Sequence, residues 1–228
     1  MAPINVPSIL DVNVSQISFS EVKTMDNGGK MINIYYNKSP FVFKVPAMKV
    51  PFGMSNWKMI KYSIDLSISS EQDAIRRKFE EIEQHYIHTA AENSMKWLGK
   101  KEDPEVVEEL FTSAVRYARD KTTGDIIDKY PPTIKFQVPF KNDKFVCTAY
   151  DSSKKTIKIS EDTIPKRSMV AAVVHASGIW VAGGKFGCTM KIEQMKVDAD
   201  KGAFPVDVYG FVDDPEDEPS EESVDTTI

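Results

Sequence analysis

Hydrophobic and polar positions change period twice along this chain, and the changes divide it into three stretches. The first ~70 residues alternate with a period near two, the signature of strands with one buried face. Ile17 to Met25 leads into the turn Asp26-Asn27-Gly28-Gly29. Met31 to Tyr36 follows, then a turn at Asn37-Lys38-Ser39-Pro40, then Phe41 to Val45. VPAMKVPFGMSNW carries Pro46, Pro51 and Gly53 and reads as a loop or bent edge. Lys61 to Ile68 alternates cleanly.

Beyond Ser70 the period becomes helical. Ser70 with Asp73 resembles a capping box, and Ile75, Phe79, Ile82, Tyr86, Ala90 and Trp97 keep helical spacing up to a stop at Gly99. Asp103-Pro104-Glu105 opens a second helix whose buried face is Val107, Leu110, Ala114 and Tyr117. Tyr130-Pro131-Pro132 prevents its continuation. From Thr133 the alternation returns: Thr133 to Val138, a turn at Lys141-Asn142-Asp143, Phe145 to Tyr150, Lys155 to Ser160, and Ser168 to Ala182. Strands, then helices, then strands predict a mainly β fold (α+β) with a helical insertion at about 70–120. A five-stranded Greek-key barrel is the simplest fit.

The most informative stretch is SGIWVAGGKFGCTMKIEQMKV, residues 177–197. Gly183-Gly184 between two apolar runs predicts a two-residue hairpin turn. The register then sets Ala182 against Lys185, Val181 against Phe186, Trp180 against Gly187 and Ile179 against Cys188. One face carries Ile179, Val181, Phe186, Cys188, Met190 and Ile192 and belongs to the core. The other carries Trp180, Lys185, Gly187, Thr189, Lys191 and Glu193. An aromatic ring among lysines, opposite a glycine that leaves it uncovered, is what a base-stacking platform requires. The alternative is that another segment covers Trp180. No P-loop is present, because Phe186 follows Gly183-Gly184-Lys185 where a Ser or Thr is needed, and no helix opens there.

Composition narrows the function further. The 228 residues are 41% hydrophobic, enough for a core, and hold no apolar run near 18 residues. The start, MAPINVPSILDVNVS, lacks the pattern of a secretory signal. Cys147 and Cys188 both sit in strand-like runs and read as small buried hydrophobes. His85 and His88, with Glu81 a turn back, form at most a weak metal pair, and surface histidines are the commoner explanation. There is no nucleophile elbow and no paired-acid metal pattern, so neither enzymatic activity nor a cofactor is expected.

The net charge of −5 conceals an asymmetry. Asp213, Asp214, Glu216, Asp217, Glu218, Glu221, Glu222 and Asp225 crowd the last eighteen residues, which hold no base. Without them the chain carries 26 acidic against 29 basic side chains. Such a segment cannot bury enough apolar surface to fold and is expected to be disordered. It reads as a solubilising tail, or as one that docks on basic partners and competes with nucleic acid.

In the body, aromatics and lysines interleave. Tyr35, Tyr36, Phe41, Phe43 and Lys44 share one hairpin, with Phe41 and Phe43 on a single, buried-looking face. Trp57 is flanked by Lys58 and Lys61. Lys154, Lys155 and Lys158 precede Lys166-Arg167. Charge that tracks a backbone and rings that stack on bases suit sequence-tolerant single-strand binding.

VPAMKVPFGMSNW, WLGKKEDPEVVEELF and above all the block at 177–197 resemble the single-stranded DNA-binding proteins of large nucleo-cytoplasmic DNA viruses. That group is itself distantly similar to the replication single-strand binder of short-tailed bacteriophages. The resemblance runs from about Ile32 to Val197. It implies an OB-fold core over residues 1–210, action in viral DNA replication, recombination or repair, and an acidic tail at 211–228 that contacts replication proteins such as polymerase or helicase/primase. It implies a place in the infected cell, in a cytoplasmic virus factory or the nucleus, or in the virion, and it leaves room for a homodimer. The phage tail ends in an aromatic residue whereas this one ends Thr227-Ile228. By pattern, Lys44, Lys58, Lys61, Lys185 and Lys191 meet phosphates, and Trp180, Tyr36 and Trp57 stack bases. The alternative is a non-enzymatic virion or scaffold β-protein that binds only protein.

Overall fold

A computed structural model describes residues 6–58 and 60–199; the acidic segment beyond Asp200, with its eight carboxylates, lies outside them. Five strands form a closed ring: β1 (Val42–Lys49), β2 (Lys61–Ser67), β3 (Thr133–Val138), β4 (Met169–Ala182) and β5 (Lys185–Asp198). β1 pairs with β2 through Lys49 and Ser67. β2 and β3 pair antiparallel from Ser67–Thr133 to Tyr62–Val138. β3 meets β5 in parallel, through Gln137 and Lys191. β5 returns to β4, and β4 to β1. The ring order is therefore 1-2-3-5-4-1, with one parallel seam.

The β4–β5 hairpin is as the glycine turn predicts. Ala182 pairs with Lys185, Val181 with Phe186, Trp180 with Gly187 and Ile179 with Cys188, and both turn glycines have positive φ (59° and 74°). Two bulges then shift the phase. Ser177 is an extra residue in β4 and Glu193 one in β5. The buried set in β4 accordingly passes from Val170, Ala172, Val174 and Ala176 to Ile179, and in β5 from Phe186, Met190 and Ile192 to Met195 and Val197. An extra residue inverts which face each later side chain meets. At the Ser177 bulge β4 also changes partner, from β1 to the strand Lys30–Tyr36.

The helical segment closes one end of the ring. A 3₁₀ turn at Ser70–Gln72 precedes α1 (Asp73–Glu92), with Ser69 and Gln72 as the capping pair, one residue earlier than the sequence suggests. Its buried face of Ile75, Phe79, Ile82, Tyr86 and Ala90 lies on the ring's interior rings. Phe79 is 5.8 Å from Phe43 and 6.3 Å from Phe136. α2 (Ser94–Trp97) buries Trp97, and Gly99 follows with φ of +88°. Phe41 and Phe43 are buried, as expected.

Three expectations need correction. VPAMKVPFGMSNW is not a loop throughout, because β1 runs through Pro46 to Lys49 and Met54–Trp57 pairs with β2. Pro46 is tolerated because it sits in a bulge, where Pro46 and Ala47 lie between the pairs Val45–Ala172 and Met48–Val170 and no ladder N–H is required. The second predicted helix, α3 (Pro104–Leu110), ends at Leu110 and does not continue to Tyr117. Phe111–Thr112 instead pairs in parallel with Phe186–Gly187, and the buried carboxylate of Glu83 accepts hydrogen bonds from the Ala114 N–H (2.6 Å) and Ser113 hydroxyl (2.7 Å). The stretches Ile17–Met25 and Lys155–Ser160 keep only short strands, at Ile17–Phe19, Lys23–Thr24 and Thr156–Ile157.

A Cβ at Gly178 would stand 2.7 Å from the Ile32 carbonyl oxygen. Gly178→Ala should therefore destabilise by about 1–3 kcal/mol in urea unfolding; an unchanged midpoint would mean that the Lys30–Tyr36 strand yields freely. Burial raises the Glu83 carboxyl above its usual value, opposed by the two hydrogen bonds. The native state then holds this proton to higher pH than the unfolded state, so Glu83's contribution to stability falls as pH rises from about 4.3 through the raised value. Glu83→Gln removes that slope. Its stability relative to the parent should climb across that interval and level off above it, whereas a difference flat in pH would show that Glu83 ionises normally in the fold.

Candidate nucleic-acid interface

Outside the ring, opposite the core-facing side chains, residues paired across the ladders form a transverse row. Ser55, Ser63, Gln137, Lys191, His175 and Val42 follow one another directly in register. From Ser55 to His175 the row is the floor of an open groove of about 770 Å³. Lys61, Lys135, Lys141 and Lys191 line it, with Trp57, Ile60, Tyr62, Phe140 and Val146.

Trp57 stands at its edge because the Met54–Trp57 strand turns back sharply into β2. Trp57 pairs with Lys61, and Lys58 takes a positive φ of 51°. The indole is 56% exposed, with the Lys58 ammonium 4.9 Å and the Lys61 ammonium 5.6 Å from the ring centroid. Ile60 and Val146, each 62% exposed, add apolar surface. Beneath them Tyr62, Phe140 and Phe145 form a cluster with centroids 4.8–5.0 Å apart. The cluster rests on the tight hairpin Phe140–Lys141/Lys144–Phe145, whose turn residues Asn142 and Asp143 have positive φ. Three rings thus fix the walls while the fourth, Trp57, remains open to a ligand.

The groove's charge differs in kind from that of the helix. On α1, Arg76 bonds Asp73 (2.7 Å) and Glu80 (2.6 Å), Arg77 bonds Asp73 (2.7 Å), and Lys78 bonds Glu81 (2.6 Å). The guanidinium of Arg76, with that of Arg77, holds the Asp73 carboxyl below its usual range. Among the described residues, none of the four groove lysines is in an ion pair. Among the described residues Glu193 is the one carboxylate lining the groove, and it faces His175 at 3.3 Å. Unpaired cations beside an exposed ring attract a polyanion whose bases can stack.

The structure brings together Trp57, Lys58, Lys61 and Lys191 of the residues singled out in the sequence, and leaves the others elsewhere. Tyr36 stacks on Phe41 at 5.4 Å, and its hydroxyl accepts the Asn13 N–H. Trp180 and Lys185 lie at the hairpin tip. Gly187 does not leave the Trp180 ring uncovered: the half-buried indole rests directly on it, beside Thr112 of the covering segment. Lys44 lines a separate, smaller opening. Lys135, Lys141 and His175 were missed, and alternation along β3 was the available signal for Lys135. His85 and His88 do not converge, since His85 stacks on Phe19 and His88 faces Glu92. Both cysteines have thiols pushed up by burial, Cys147 to about 11 and Cys188 to about 12.

No curated protein matches the chain. Among solved structures it is similar to the C-terminally truncated single-stranded DNA-binding protein from bacteriophage Enc34, with 12% identity and a TM-score of 0.46 over 82% of this chain and 98% of that one. The Enc34 protein without truncation gives 10% and 0.45, over 78% and 88%. The single-stranded DNA-binding protein gp2.5 of bacteriophage T7 gives 13% and 0.42, over 83% and 99%. Likeness this distant leaves the function to be argued from the chain's own residues. A family model matches residues 58–213, from the turn beside Trp57 through all of β2 to β5, and the chain belongs to that family, DUF5871, a family of unknown function.

Proposed function

We propose that this protein binds single-stranded DNA with little regard to sequence, in replication, recombination or repair, and without catalysing a reaction. The observation that carries the reading is the groove, in which an exposed tryptophan bracketed by two lysines shares the lining with Lys135, Lys141 and Lys191, which have no ion-pair partner among the described residues. Phosphates would meet Lys61, Lys135, Lys141 and Lys191, and Trp57 would stack a base. The roles suggested for Trp180, Lys185, Tyr36 and Lys44 require ligand contacts beyond this groove. The acidic segment, Asp213 to Asp225, complements the same lysines in charge and is proposed to compete with DNA and to contact replication proteins. The viral setting belongs to the same proposal.

The test is a fluorescence titration of the full chain with oligo-dT across a salt series. Four phosphate contacts should give log affinity against log salt a slope of about −3. Trp57→Ala should weaken binding by about 1–3 kcal/mol with that slope nearly unchanged. Affinity independent of salt, or unaffected by Trp57→Ala, sinks the groove assignment. A chain ending at residue 210 should bind more tightly than the full one, and equal affinities would remove the tail from competition.

A further inference from the structure

Beyond the groove, the outer face of β4 and β5 continues into a second opening of about 190 Å³, lined by Lys44, Tyr150, Ala171, Val173, Gln194 and Lys196. Pairing shows that the two openings share one face. The floor row of the groove includes His175–Lys191. Past the Glu193 bulge, the next row is Lys44–Val173–Gln194–Thr148, and the one after it is Ala171–Lys196–Tyr150. Residues directly paired across neighbouring strands of a pleated sheet project on the same side, in the antiparallel ladders of β4 and in the parallel one between β5 and the strand Thr148–Tyr150 alike, so each row turns its side chains outward together. Successive outward positions are about 7 Å apart along a strand, and neighbouring strands about 4.8 Å.

The second opening repeats the groove's chemistry. Lys44 and Lys196 are exposed and, among the described residues, in no ion pair. Tyr150 is half-buried and lines the opening. Between them Ala171 and Val173 make a shallow floor that, among the described residues, holds no carboxylate. The bulge places Glu193 beside His175, at the boundary between the two openings.

Resting on the reading of the groove as a single-strand site, we propose that the nucleic-acid track does not end at Lys191. It turns along the β4–β5 hairpin and continues to Lys44 and Lys196, with Tyr150 as a second stacking ring. The bound strand thus crosses the ring from Trp57 to His175 and then runs with the hairpin. A short oligonucleotide fills the groove alone, and a longer one engages both openings.

A length series tests this. Affinities of oligo-dT of four and of twelve nucleotides are measured over a salt range for the parent chain, for the double variant Lys44→Ala/Lys196→Ala and for Tyr150→Ala. Thermal melting confirms that each variant folds. The four-nucleotide ligand should bind all three equally. With the twelve-nucleotide ligand, the double variant should lose about 1.4 from the salt slope, corresponding to two phosphate contacts. Tyr150→Ala should bind that ligand roughly 5- to 150-fold more weakly, the range for one base–aromatic stack. Equal affinity and slope for parent and variants on the long ligand overturn the extended track while leaving the groove intact. Failure of the parent to bind either length overturns the groove reading and the track together.

Discussion

The ladder between β4 and β5 is the constraint to which the other elements answer. It runs from Met169–Asp198 at one end to Ala182–Lys185 at the glycine turn. Its lower half closes the ring through β1 and β3, and its upper half carries the strand Lys30–Tyr36 and the segment Phe111–Thr112. Two flat strands of fourteen residues could not serve both roles. The bulges at Ser177 and Glu193 re-aim the side chains partway along, so that each half presents its apolar residues to its own neighbours.

Charge is arranged with the same division. The cations of α1 are matched by carboxylates one helical turn away, so that face carries little net field. The lysines around the groove come from several separate segments and, among the described residues, are in no ion pair. Local pairing suits a helix whose task is to cover the ring's end with Ile75, Phe79 and Ile82. Unmatched charge suits a surface that awaits an anion, and the mixture of exposed indole and ammonium groups at Trp57 matches neither a core nor an ordinary solvated strand.

Much of this was legible from local pattern. The hairpin register follows from two glycines and the alternation on either side, and α1 follows from its apolar spacing. Trp57 with Lys58 and Lys61 was visible as a cluster because a tight turn joins them. The remainder depended on distant pairing. Lys135 and Lys141 reach Lys191 only because β3 and β5 meet in parallel at Gln137, a contact that no local signal announces. Trp180 could not be settled as open or covered, since part of its surroundings comes from Thr112. Pro46 suggested a break because the bulge that accommodates it is defined by the facing strand. The phase shift at Glu193-Gln194, two polar residues in succession between Ile192 and Met195, left a trace in the sequence that strict alternation overlooks.

The parallel seam has one further consequence. β3 and β5 meet through the single pair Gln137–Lys191, whereas the neighbouring β2–β3 ladder runs for six residues. This seam, with the equally short β1–β2 junction at Lys49–Ser67, is therefore where the ring should breathe, exposing its amides to exchange before the rest of the barrel opens. It also lies in the groove's floor. Any molecule held across it stabilises the closed form by mass action, so that occupancy of this surface and integrity of the barrel become two expressions of one equilibrium.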